Sequence, residues 1–173
     1  MDLIVAENLI RQGVESKSRS SWADLGCGNG LFTIALGNLL KETQSTIYAV
    51  DMDEEVLQNL DIKAAGVHLT KLRIDFTKDL PSLPRLDGII MANSLHFVKD
   101  KVNFLTQLIS KLADRGCVII VEYDTNTPNL WVPFPISRHT LIAHSKSLGL
   151  HCRVLAEHPS IYNNGNIYSA ILT

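Results

Sequence analysis

Cysteine is scarce in this 173-residue chain, and Cys27, Cys117 and Cys152 are too few and too odd in number for a disulfide framework. No two stand at C-x-x-C spacing, so a dithiol redox centre has no motif. No His/Cys/Asp cluster has metal-ligand spacing, and no metal is expected. Charge of one sign is also lacking. Lys and Arg number 16, Asp and Glu 18, and the net charge is -2. That balance gives no broad nucleic-acid footprint, although it leaves a local patch open. No apolar run approaches the roughly 18 residues that span a membrane. Acids at Asp2 and Glu7 stand where a signal peptide would carry its basic start. A cytoplasmic protein with no membrane association is the expectation. There is no internal repeat and no low-complexity tract. At roughly 100–200 residues per domain, residues 1–173 read as one domain.

What is present is an alternation of apolar strands and helices. Leu3, Ala6, Leu9 and Ile10 recur at helical spacing, with Gly13 as the stop. Trp22–Leu25 predicts a strand and Leu31–Leu40 a helix. Thr46–Val50 predicts the second strand, ending at Asp51. Asp53 is placed to cap a helix through Val56, Leu57, Leu60 and Ala64, which Gly66 stops. Strands follow at His68–Ile74, Asp87–Ala92 and Cys117–Val121, with a helical pattern from Val98 to Ala113 between the last two. Ser137–Leu148 predicts the last helix. His151–His158 and Asn166–Leu172 predict two strands joined by a Tyr162–Gly165 turn. Continuous apolar strands separated by helices mark a sheet covered on both faces, so the fold class is α/β, doubly wound. Ligands of such sheets sit at the carboxyl ends of the strands.

The first strand ends in Asp24-Leu25-Gly26-Cys27-Gly28-Asn29-Gly30, a D-x-G-x-G-x-G turn leading straight into a helix. Gly26 and Gly28 permit a tight turn and close approach of backbone to a ligand, and Gly30 permits close packing at the helix start. Asp24 brings a carboxylate to the strand end, where a ligand ammonium or an ordered water meets it. A dinucleotide fingerprint counted from Gly26 or Gly28 would need glycine at Leu31 or Thr33. A P-loop would need Lys after its last glycine, where Leu31 stands. A ligand without phosphate, carrying its own positive groups, fits better. A nicotinamide cofactor is the weaker alternative.

Asp51 closes the second strand, and an acid there can accept both hydroxyls of a ribose. Asp75 closes the third strand and can accept from an adenine amino group. Met52, Ile74 and Phe76 are placed to wall an adenine ring. Each acid also has a bland alternative as an ordinary turn residue.

Taken together, the turn Asp24–Gly30, the stretch Ala49-Val50-Asp51-Met52-Asp53, Asp75, and Asp87-Gly88-Ile89-Ile90-Met91-Ala92-Asn93-Ser94-Leu95-His96 resemble the ordered motifs of class I S-adenosylmethionine-dependent methyltransferases. The resemblance runs over nearly the whole chain. It implies a seven-stranded Rossmann-like sheet of order 3-2-1-4-5-7-6 with strand 7 antiparallel, and S-adenosylmethionine as cofactor. It implies cofactor contacts at Asp24, Gly26, Cys27, Gly28, Gly30, Asp51, Met52, Asp75, Phe76 and Asn93. The fourth strand is not followed by an N-P-P-Y type motif, which argues against the amino-methylating enzymes that carry one.

His96 follows the fourth strand and is the candidate general base for an acceptor hydroxyl or amine. The alternative is that it packs or caps the turn Leu95–Val98. Tyr123 and the Pro-rich link with Trp131 and Phe134 are candidates to shape the acceptor side, and Arg138 and His139 to meet an acceptor carboxylate. A small-molecule acceptor is the preferred partner, with nucleic acid or protein not excluded. A chain this short leaves the cleft open unless a second copy or the substrate closes it. A non-catalytic, partner-dependent scaffold on the same fold is the alternative function.

Overall fold

The computed structural model describes residues 1–15, 17–80, 82–160 and 165–173. One sheet of seven strands organises them: β1 (Ser21–Leu25), β2 (Ser45–Asp51), β3 (Val67–Arg73), β4 (Leu86–Ala92), β5 (Leu112–Tyr123), β6 (Cys152–Pro159) and β7 (Asn166–Leu172). Their order is β3-β2-β1-β4-β5-β7-β6, and β7 runs antiparallel to both neighbours. This is the topology that the resemblance implied. The helices are α1 (Leu3–Ile10), α2 (Leu31–Leu39), α3 (Glu54–Asn59), α4 (Lys101–Ile109) and α5 (Arg138–Ser147).

Alternation along the strands divides the core between two faces. Ile89, Met91, Val118 and Ile120 share one buried cluster with Leu105 and Leu108 of α4 and Leu141 of α5. Ile90, Ile119 and Val121, displaced by one residue, share the other with Leu9 of α1 and Phe32 and Leu36 of α2. Burial on both faces explains why these strands are apolar without a break.

Several element boundaries differ from the sequence pattern. The helix expected to reach Ala113 stops at Ile109, and the strand expected from Cys117 begins at Leu112. Leu112 pairs with Leu86 across a register shift. Apolar spacing at helical period continues into a strand here because both elements face the same core. The helix expected through Ala64 ends at Asn59, where Leu60 turns extended (ψ 126°) and is buried. Asp53 caps α3 as expected, accepting the Glu55 amide at 2.9 Å. Of the turn expected at Tyr162–Gly165, Tyr162, Asn163 and Asn164 lie outside the described residues.

Candidate cofactor site

The turn after β1 is shaped by three glycines in the left-handed region: Gly26 (φ +77°), Gly28 (+49°) and Gly30 (+82°). Other residues reach that region only at a cost. The turn is stitched to the end of β2. The Gly26 and Cys27 amides both donate to the Val50 carbonyl, at 2.8 and 3.0 Å. The Gly28 amide donates to Asp51 Oδ2 at 2.8 Å. A methyl group added at Gly26 would meet Ser94 Cβ at 2.6 Å, and one at Gly30 would meet Leu60 Cδ1 at 2.1 Å. One added at Gly28 would meet nothing within 4 Å, because that position faces open space.

The turn forms one wall of a 640 Å³ cavity at the carboxyl ends of β1, β2 and β4. That volume falls within the range of small-molecule sites. Nine of the ten residues expected to contact a cofactor line it: Asp24, Gly26, Cys27, Gly28, Asp51, Met52, Asp75, Phe76 and Asn93. Gly30 does not. It precedes α2 and lies under Leu60, so its role is packing. Ile74 lines the cavity as expected. Asn29, Leu31, Phe32, Thr77, Ala92, Ser94 and Phe97 line it as well. Their types carry no chemical signal in sequence, although each lies within a few residues of a motif that does.

Three carboxylates face the cavity, and no Lys, Arg or His is among its described lining residues. Asp24 is the most enclosed, at 1% exposure. Its Oδ2 accepts from Thr33 Oγ1 at 2.6 Å, while its buried Oδ1 has no hydrogen-bond partner among the described residues. Burial pushes its pKa up to about 7, with the Thr33 hydroxyl pulling down and the charge of Asp51 adding to the rise. Burial also pushes the Cys27 thiol up, so it remains a thiol at neutral pH. Asp51 spends both oxygens on backbone, accepting Gly28 and also Asp53 at 3.0 Å. Asp75 pairs with Lys78 at 2.8 Å and accepts from the Thr77 hydroxyl at 2.6 Å. These bonds, Lys78 first, hold its carboxyl below the usual range.

Asn93, just past β4, takes a left-handed conformation (φ +52°). Its amide donates to Val121 O at 2.8 Å, and its buried Oδ1 has no partner. The next residue, Ser94, donates its hydroxyl to Leu25 O at 2.6 Å, tying this turn to the glycine turn.

His96 does not line the cavity. Its side chain is 4% exposed, and Nδ1 lies 2.8 Å from Glu122 Oε2. This placement supports the turn-packing reading over the general base. Tyr123 is half-buried, packed against the α1–α2 face of the core and outside the cavity lining. Arg138 is engaged by Asp124 at 3.1 Å and by Glu157, and it is not among the residues lining the cavity. His139 is exposed on α5. In the link after β5, Leu130 and Trp131 are 87% and 80% exposed, and Val132 is buried beside them.

A family model described as a methyltransferase domain matches residues 23–118, which hold both turns and all three cavity acids. The chain belongs to that family. Among solved structures, it resembles an arsenic(III) S-adenosylmethionine methyltransferase from Chlamydomonas reinhardtii at 17% identity and TM-score 0.70, over 92% of this chain and 64% of that one. The chain therefore spans just under two thirds of that relative. It resembles a SAM-dependent methyltransferase from Aquifex aeolicus at 18% identity and TM-score 0.64, over the full length of both. It also resembles DhpI, solved as a SAH complex, at 19% identity and TM-score 0.67, over 97% of this chain and 83% of that one. Likeness at these identities establishes the shared fold. No curated protein sequence matches the chain. Among the described residues, no helix is long and apolar enough to cross a membrane.

Proposed function

We propose that the protein transfers a methyl group from S-adenosylmethionine to a small, uncharged or cationic molecule. One observation carries this reading. Among the described residues, Asp24 Oδ1 and Asn93 Oδ1 are buried acceptors without donors, and both residues line a cavity with three carboxylates and no cation. Buried polar atoms are normally satisfied, so two orphans in one cavity are suited to a ligand that brings its own donors. The ammonium group of the methionine moiety is such a donor, whereas a phosphate-bearing dinucleotide would find no counter-charge here.

When bound, S-adenosylmethionine supplies a methyl group already activated by its sulfonium. Asp24 and Asn93 hold the ammonium end. Asp51 retains lone pairs for the ribose hydroxyls, and its bonds to Gly28 and Asp53 fix where they point. Met52, Ile74 and Phe76 supply apolar walls for the adenine, and Asp75 offers it an acceptor. These residues orient the donor and exclude water from it, which is the main contribution a protein makes to such a displacement. The bound group would supply the methyl and keep the carbon–sulfur electron pair on its sulfur, while the acceptor would supply the lone pair and give its surplus proton to solvent. The three carboxylates of the cavity, with no Lys, Arg or His among its described lining residues, support a neutral or cationic acceptor over an anionic one.

Equilibrium binding of tritium-labelled S-adenosylmethionine tests the donor site. The parent protein should bind, and the Asp51→Ala and Gly28→Val variants should lose affinity. Full affinity in both variants overturns the assignment. A panel of amines, phenols and thiols set against carboxylates and phosphates tests the acceptor class. Binding without turnover across the whole panel favours a non-catalytic, partner-dependent role.

A further inference from the structure

We propose that Glu122 is a positioning residue for methyl transfer: its buried carboxylate, acting through His96, sets the turn that carries Asn93 and Phe97 to the cofactor cavity. The proposal rests on the reading that S-adenosylmethionine occupies that cavity. Glu122 lies on β5 and is 1% exposed. Its Oε1 accepts the His96 backbone amide at 3.1 Å, and its Oε2 lies 2.8 Å from His96 Nδ1. The preceding residue, Val121, accepts the Asn93 amide at 2.8 Å. Two consecutive β5 residues thus grip the turn at both of its ends.

Asn93 is left-handed, a conformation that asparagine adopts more readily than other residues with a side chain. It also carries one of the two unpartnered acceptors in the cavity. Phe97 lines the cavity and is 50% exposed at its rim. The same clamp reaches the Pro-rich link. The Phe134 amide donates to His96 O at 3.0 Å, and the buried Lys101 ammonium donates to Phe134 O at 2.6 Å and Val98 O at 2.7 Å.

Packing alone does not call for a carboxylate in this place. Burying a charge is expensive, and an apolar residue would fill the volume at lower cost. What a carboxylate adds is two fixed acceptor oxygens, one for a backbone amide and one for a ring N–H. Because a carboxylate only accepts, this pairing selects, in the neutral ring, the tautomer with its proton on Nδ1. The other titratable groups packed around Glu122 are Lys101 from α4 and Tyr168, its cross-strand neighbour on β7. The Tyr168 hydroxyl is turned away to donate to Ile136 O at 3.0 Å. Lys101 is the nearby positive charge, and the charge of Glu122 acts on it through space, without a direct bond among the described residues.

The test is calorimetric binding of S-adenosylmethionine and S-adenosylhomocysteine, with melting temperatures and ¹⁵N spectra of the histidine ring. Glu122→Gln should remain folded, lose affinity roughly tenfold, and shift the His96 proton away from exclusive Nδ1 occupancy. Glu122→Ala should lose at least as much affinity, and Glu122→Gln carries the test if that variant does not fold. Parent-like affinity in Glu122→Gln overturns the positioning role, whatever happens to its melting temperature. So does an unchanged ring tautomer. Absence of binding by the parent protein overturns the cofactor reading and this one with it. Binding by the parent and by Glu122→Gln alike overturns this one only.

Discussion

Asp51 Oδ2 accepts the amide of Gly28, 23 residues away in sequence, at 2.8 Å. The acid at the end of β2 therefore shapes the glycine turn as well as facing the cavity. Its other oxygen, bonded to Asp53 at 3.0 Å, fixes the start of α3. Removing the carboxylate frees the turn and deletes a ligand acceptor in one step. Asp51→Ala should weaken S-adenosylmethionine binding by about 10- to 100-fold, as expected for hydrogen bonds to a charged group. Titration calorimetry measures this directly, and an unchanged dissociation constant would remove Asp51 from the site.

Gly28 and Gly30 share the left-handed conformation and should fail differently. A methyl at Gly28 points into open space, so Gly28→Ala should cost about 1–2 kcal/mol of stability from backbone strain. Its larger effect should be on cofactor affinity, because the methyl enters the cavity. A methyl at Gly30 collides with Leu60 at 2.1 Å. Gly30→Ala should therefore cost about 2–4 kcal/mol through strain and overpacking combined. Adding Leu60→Ala should relieve the clash part of that loss. Denaturation curves and binding isotherms on the same samples separate the two patterns. Similar patterns for both variants would contradict the distinct placement of the two glycines.

The parts of this site legible in sequence are those made by local rules. The D-x-G-x-G-x-G turn declares itself because left-handed backbone demands glycine, and Asp51 and Asp75 because strand ends place them at the ligand edge. The early end of α3 was not legible, since Leu60 leaves the helix to fill the space over Gly30, a tertiary demand that overrides the local pattern. The start of β5 was hidden because Leu112 continues the apolar spacing of α4 while pairing with Leu86. Glu122 carried no signal at all, as its partner His96 is 26 residues distant and only the sheet brings them together. Arg138 looked free for a substrate because Asp124 and Glu157 reach it from separate elements.

Leu130 and Trp131 project from a turn held by Asn129, whose Oδ1 accepts the amides of Trp131 at 2.8 Å and Val132 at 2.9 Å. Neither exposed side chain lines the cofactor cavity. Leu130→Ser and Trp131→Ala should each change stability by less than about 0.5 kcal/mol. Cofactor affinity should be unaffected. If the link shapes the acceptor side, the loss appears only in turnover once an acceptor is found. A changed affinity for S-adenosylhomocysteine would place the link against the cofactor instead.

Asp24 ties the stability of the empty protein and its affinity for a cation to the same proton. Its carboxyl is raised from 3.8 to about 7, chiefly by burial. The folded state therefore keeps a proton that the unfolded state has released, across the window from about pH 4 to 7. Linkage then makes this group's contribution to stability full below pH 4 and lost progressively as pH rises to 7. The loss is at most about 4 kcal/mol. Asp24→Asn removes the penalty while its amide oxygen can still accept from Thr33, so the variant should melt higher than the parent at pH 8 and show no such gain near pH 4. Binding follows the opposite sign. An ammonium group needs the ionised carboxylate, so affinity for S-adenosylmethionine should fall as pH drops below 7, approaching tenfold per unit. In Asp24→Asn, affinity should be low and free of that dependence. A parent protein whose affinity is flat from pH 8 to pH 5.5 would show that Asp24 does not hold the cation. A variant no more stable than the parent at pH 8 would show that the buried carboxylate carries no desolvation penalty.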